Sequence, residues 1–141
     1  MPTSAFTFFN AFSENLSEKV HNLDTDTLNV YLSNTAPNVS TNAVKADLAE
    51  ISTGNGYSGP QDTQNATSRT GSVTSVTGTD ITLTATGAGF GPYRYVVLYN
   101  DTPTSPADPL IGYWDYGSSQ TNAAGEQLVI DFGTEMFKVT P

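Results

Sequence analysis

Proton transfer, metal binding and nucleophilic attack each need particular side chains, and this chain of 141 residues offers few of them. Its one histidine, His21, would have to serve any Ser-His-Asp arrangement, and no serine lies in a Gly-x-Ser-x-Gly elbow. The spacing puts His21 in the last turn of an N-terminal helix, where an imidazolium would complement the helix dipole, a structural role. With no cysteine, thiolate zinc sites, disulfides and thiol nucleophiles are all removed. Among the 14 acids, Asp115 stands between Trp114 and Tyr116, where a carboxyl of raised pKa could protonate a glycosidic oxygen while the rings stack on sugar. The simpler reading is a strand whose Trp114 and Tyr116 point inward and whose Asp115 points out. Asp24 and Asp26 lack the glycine and terminal glutamate of an EF-hand and read as turn residues. Gly87-Ala88-Gly89-Phe90-Gly91 leads into a strand with no Lys-Ser/Thr after it, so a turn or bulge is expected there and not a phosphate loop. Asn15, Asn38, Asn65 and Asn100 each open an Asn-x-Ser/Thr triplet, which chance explains in so Ser/Thr/Asn-rich a chain. No metal site and no cofactor is called for.

The charge balance narrows the partners. Five Lys and Arg against 14 Asp and Glu leave −9. That disfavours nucleic acid, which binds clustered cations through counterion release, and disfavours anionic lipid for the same reason. No apolar run reaches the roughly 20 residues of a membrane span. Met1-Pro2-Thr3-Ser4 lacks the basic start of a signal peptide, so the expectation is a chain made and used without secretion. Charged residues are only 13% of the chain, while Ser and Thr together make up about a quarter. A surface of hydroxyls and amides suits permanent packing against other proteins, and suits sugars equally well.

The elements that would position these groups follow from periodicity. Phe9, Phe12, Leu16, Val20 and Leu23 recur at spacings of three and four, predicting a helix that ends around Asn22-Leu23. Its cap is Asn10 if Phe6-Thr7-Phe8 is extended, and Ser4 if it is not. Phe6, Phe8, Phe9 and Phe12 offer more apolar surface than one core face requires, so the stretch reads either as core or as a docking element. Leu28–Leu32 alternates as a strand. Ala43–Ile51 fits a short helix capped by Asn42, and Gly54–Pro60 a loop. Thr67–Val76 and Asp80–Thr86 read as two strands of a hairpin joined at Thr77-Gly78-Thr79. Tyr93–Tyr99, with Val96-Val97-Leu98 in succession, predicts a strand buried on both faces. Asn100–Pro109 is a loop, Leu110–Tyr116 a strand ended by Gly117-Ser118-Ser119, Gln127–Phe132 another, and Met136–Val139 a short last one. The class is α+β, mainly β: an N-terminal helical segment over 1–23, then a β body over 24–141. That body is an antiparallel sandwich or half-barrel of about six or seven strands in a single domain.

Several blocks taken together resemble a known group. Phe9–Phe12, Glu18–Leu23, Leu28–Pro37, Ala46–Ile51, Gly54–Tyr57, Val96–Thr102, Pro109–Ser119 and Ala124–Glu126 are similar, in order, to segments of small tailed-bacteriophage virion proteins of the capsid decoration (head cement) type. The resemblance implies a non-enzymatic structural role on the outside of the capsid. Its implied partners are the major capsid protein and further copies of the chain as a homo-oligomer, with no nucleic acid and no membrane. The implied location is the virion exterior, after synthesis in the bacterial cytoplasm. No catalytic residue carries over. Interface candidates come from the residues alone: Phe6, Phe8, Phe9 and Phe12 at the start, Asn55 and Tyr57 in one loop, Pro103 and Pro106 in another. The competing readings are a tail or head-fibre component, a carbohydrate-binding module presenting Tyr113, Trp114 or Tyr116, and a glycosidase using Asp115.

Overall fold

The computed structural model describes residues 5–141. The protein is mainly β with antiparallel sheets. Its elements are β1 (Thr7–Phe8), α1 (Ala11–Ser17), β2 (Leu28–Ser33), a single 3-10 turn (Lys45–Asp47), β3 (Gln61–Asp62), β4 (Ala66–Thr70), β5 (Val73–Thr77), β6 (Ile81–Thr84), β7 (Phe90–Asn100), β8 (Leu110–Asn122), β9 (Gln127–Ile130) and β10 (Phe137–Val139). They form a five-stranded sheet in the order β1-β8-β7-β2-β3, a three-stranded sheet β10-β5-β4 and a pair β6-β9.

The central sheet is buried on both faces, as the Val96-Val97-Leu98 run predicts. Period-2 alternation sends Leu28, Val30 and Leu32 of β2, and Val96 and Leu98 of β7, to one side. There they meet Val76, Leu83, Leu128, Ile130 and Phe137 from the two smaller sheets. Tyr31, Tyr95, Val97 and Tyr99 go to the other side, where Leu48 and Phe9 cover them. Each fully buried side chain of this size contributes about 1.5–3 kcal/mol, so the three long strands hold most of the stabilising area. The outer strands β1 and β3 are two residues long, which limits the backbone they offer to other chains.

Several expectations are corrected. The helix does not reach Asn22-Leu23. It stops at Ser17 because Lys19 takes φ 66°, and Lys19 and Val20 return their N–H groups to Leu16 and Asn15. This is a Schellman-type stop with lysine where glycine is usual, so the sequence carries no punctuation for it. Asn10 does precede the helix, but its side chain makes no capping bond. Its Nδ2 instead donates to Ser40 Oγ at 3.4 Å. The alternative cap Ser4 lies outside the described residues. Phe6–Phe8 is extended, since Thr7 and Phe8 pair with Tyr113 and Gly112. The 43–51 helix is reduced to one 3-10 turn, and Asn42 does not cap it; Asp47 Oδ2 accepts the N–H groups of Ala43 and Val44.

The predicted hairpin at Thr77-Gly78-Thr79 is also wrong. The stretch Thr67–Val76 is itself a hairpin, β4 and β5, turning at Gly71-Ser72 with Gly71 at φ 61°. β6 leaves it and pairs with β9, some 45 residues on. β7 starts earlier than expected, at Phe90, with register shifts around Pro92 where the missing N–H interrupts the ladder. β8 runs through Gly117-Ser118-Ser119 to Asn122, because Tyr93 and Phe90 on β7 continue to pair with Gln120 and Asn122. β9 stops at Ile130, short of Phe132. With these changes the described residues contain ten strands, where six or seven were expected. Residues 5–23 are built into the β body: β1 extends the central sheet and Phe12 belongs to its core.

Candidate functional site

The one acid with a catalytic reading is held in an ion pair. β8 places Asp115 opposite Tyr95 of β7, so the neighbouring Arg94 reaches across with Nε 2.8 Å from Oδ1 and Nη2 3.2 Å from Oδ2. The Gly117 N–H donates to the same carboxylate at 2.7 Å. Arg94 beside it, and then that N–H, hold the Asp115 carboxyl below the ordinary carboxylate range. A general acid at neutral pH needs the opposite shift. The aromatic neighbours do not form a sugar platform either. Trp114 is 4% exposed in the core, while Tyr113 packs on the opposite face from Trp114 and Tyr116. Asp115 itself is half-buried on the face away from Trp114, as the simpler reading expects. Sequence reasoning missed Arg94, since a partner 21 residues away is set by β7–β8 register and leaves no local signal.

His21 is likewise absorbed, though not in a helix's last turn. It follows the chain reversal at Lys19 and is 5% exposed, packed against Phe12. Asn100 Nδ2 donates to Asp26 Oδ2 at 2.8 Å and lies 3.0 Å from His21 Nδ1. Asn100 Oδ1 accepts the Thr102 N–H, which fixes the amide's orientation and makes His21 Nδ1 the acceptor. The proton then sits on Nε2, which is buried and unpartnered. Burial, only partly offset by Asp26, drives the His21 pKa down to about 4. Asp24 and Asp26 lie in the chain reversal before β2, as expected; Asp26 Oδ2 takes the Asn22 N–H within it, whereas Asp24 Oδ1 accepts the Thr67 hydroxyl from β4. The Gly87–Gly91 segment is a turn entering β7. Of the four Asn-x-Ser/Thr triplets, that of Asn100 is fully buried at its asparagine. Among the described residues no three His, Asp or Glu side chains gather where a metal could sit.

The interface candidates divide by burial. Phe9 and Phe12 are 1% and 7% exposed and belong to the two core clusters. Phe6 is half-buried, stacked on Phe137 at 5.2 Å and 4.7 Å from Trp114. Gly112 makes room for it, since a Cβ there would lie 2.2 Å from the Phe6 ring. Phe8 alone is exposed, at 38%. Tyr57 is not an interface residue. It is 1% exposed, its hydroxyl donating to Glu50 Oε2 and accepting the Leu32 N–H. Burial and the Glu50 carboxylate push its pKa far up, so the hydroxyl stays a donor. Glu50 in turn holds Lys45 at 3.0 Å. Asn55 is exposed at the tip of the same loop, and Pro106 is exposed with Pro103 half-buried at the tip of the 100–109 loop. The two tips are on separate loops, and among the described residues no ring contact or hydrogen bond joins either to the phenylalanines.

Two grooves flank α1. One, of about 470 Å³, is lined by Lys19, His21, Asp24, Asp26, Thr67 and Val139. The other, of about 650 Å³, runs along Phe8, Phe12, Leu16, Lys138 and Val139. Both are open troughs and not enclosed pockets, and the unpartnered His21 nitrogen is sealed from the first. No helix among the described residues is long and apolar enough to cross a membrane. Comparison with known protein families, with curated proteins and with solved structures returns no match.

Proposed function

We propose that the chain is a structural protein of a tailed-phage particle, most simply a decoration protein that binds the outside of the capsid shell in many copies. The carrying observation is where the blocks that resemble such proteins lie. Leu28–Pro37, Val96–Thr102 and Pro109–Ser119 supply β2, the end of β7 and most of β8, adjacent strands of one sheet. Ala46–Ile51 and Gly54–Tyr57 dock on that sheet: Ile51 N–H donates to Leu32, Tyr31 to the Leu48 carbonyl, and Leu32 N–H to the Tyr57 hydroxyl. Phe9 donates to Ile111. Blocks scattered through the sequence thus bond directly to one another, which is how a shared scaffold would look. The likeness falls on a scaffold and not on a cleft, and a scaffold is what a structural role needs.

The chemistry of the surface fits the reading. Strong acidity disfavours adhesion to packaged DNA. Copies repeated by the shell's symmetry turn modest single-site affinity into firm retention. Co-sedimentation of the purified protein with undecorated heads, followed by densitometry, tests the proposal. The expected result is saturable binding at on the order of hundreds of copies per head, set by shell symmetry. Failure to bind heads, with only a few copies in whole particles, would move the protein to the tail or a fibre.

A further inference from the structure

We infer that Asn55 is a site of spontaneous covalent self-modification, in which the Gly56 backbone nitrogen closes onto the Asn55 side chain. Asn55-Gly56 is the chain's one Asn-Gly pair. It forms the two central residues of a tight turn, with φ 54° and 101°, closed by Gly54 N–H to Tyr57 O at 2.7 Å and Tyr57 N–H to Gly54 O at 3.1 Å. Those angles belong to the type I′ turn that favours Asn-Gly. Both reacting groups are exposed, and among the described residues neither the Asn55 side-chain amide nor the Gly56 N–H has a hydrogen-bond partner. Gly56 has no side chain of its own to hinder attack by its nitrogen.

The step balances with water as the one co-reactant. The deprotonated Gly56 nitrogen attacks Asn55 Cγ, the C–N bond to the side-chain amine breaks, and ammonia leaves a five-membered succinimide. Water then opens either carbonyl, giving aspartate or an isoaspartate whose main chain runs through the former side chain. Each product adds one negative charge.

The surroundings make the event consequential. The Asn55 carbonyl accepts the Thr86 N–H at 2.9 Å, and a Cβ at Gly56 would lie 2.1 Å from the Thr84 carbonyl oxygen. The turn is seated on the 84–87 segment with no spare room, so an extra main-chain carbon cannot be taken up there. The next residue is Tyr57, which carries the turn's anchor into the core. Modification is expected to loosen this hairpin while leaving the central sheet intact.

The test incubates the folded protein at mildly alkaline pH and maps tryptic peptides by mass. The peptide 46–69 should gain about 1 Da at Asn55, partly as isoaspartate, ahead of every other asparagine. Asn55→Gly, which accepts the left-handed turn, should abolish the gain and keep the fold; Asn55→Gln should also abolish it. Two outcomes would overturn the inference. One is an unmodified Asn55 in the folded protein when the urea-unfolded chain modifies readily. The other is a gain spread evenly over the asparagines.

Discussion

A buried imidazole with one satisfied nitrogen makes His21 the residue through which acid should act first. Its folded pKa of about 4 lies below its ordinary value of 6.5, so the unfolded chain takes up the proton before the folded one does. The stability tied to its neutral form is therefore complete above pH 6.5 and is lost as the pH falls toward 4, on the order of 3 kcal/mol in all. Protonation would also set an N–H on Nδ1 against the Asn100 amide, whose two hydrogens already serve His21 and Asp26. Urea unfolding between pH 7 and pH 4.5 checks this against His21→Gln, which cannot titrate. The stability difference between the two proteins should shift steadily in favour of the variant as pH falls. A difference independent of pH would mean that the imidazole does not titrate differently in the two states. Asp115 works in the same direction on a smaller scale, since its folded carboxyl is also held below its ordinary value and its contribution is lost as the pH falls through the carboxylate range. Its pair with Arg94 is partly exposed and screened by solvent, a kind that contributes little, so Asp115→Asn should move stability little.

At the scale of elements, the N-terminal segment decides between core and docking, and burial separates its phenylalanines. Phe9 is 1% exposed between Tyr113 and the second cluster, whereas Phe8 stands 38% exposed over Phe12 and Phe137. Phe9→Ala should cost about 3–5 kcal/mol, the range for emptying a buried aromatic site, and Phe8→Ala about 1 kcal/mol. Equal costs by chemical denaturation would show that the segment is not seated as described. Removal of residues 1–12 should for the same reason cripple folding, since it strips β1 from the sheet and both buried rings from the core. This element also shows what could be read beforehand. The spacing of Phe12 and Leu16 located α1, because those two side chains do face one core, whereas Phe9 precedes the helix and turns to the other cluster. It overran the end because Leu23 reaches the core through a reversal at Lys19 and a side-chain-bonded turn at Asn22, with Val20 only half-buried on the way. The run Val96-Val97-Leu98 announced a doubly buried strand on its own. By contrast β6 pairs with β9, and Arg94 meets Asp115, through registers that only tertiary packing sets. Gly71 was the local clue that went unused: a lone glycine within a strand pattern marks a break. Asn55 was legible as an exposed turn residue and Tyr57 was not legible as core, since Gly-rich loops seldom carry a fully buried tyrosine.

For the whole molecule, the question is whether two hydrophobic clusters mean two units that melt apart. They do not share residues, yet they lie on opposite faces of the same three strands: Val96 and Leu98 point to one, Tyr95, Val97 and Tyr99 to the other. A strand cannot lose its packing on one face and keep its register on the other, because the same backbone ladder carries both. The two clusters are then one cooperative system, with Trp114 as a fluorescent reporter inside the first. Leu48 is confined to the second cluster and Leu128 to the first, where it packs from β9. Leu48→Ala and Leu128→Ala should each cost about 2–5 kcal/mol. Both should move the same single transition, seen alike by Trp114 fluorescence and by backbone circular dichroism. If Leu48→Ala left the Trp114 transition in place while the backbone signal split, the faces would be uncoupled. For the shell role proposed above, a uniform response would mean that a partner bound anywhere on the folded surface stabilises the entire sheet by mass action.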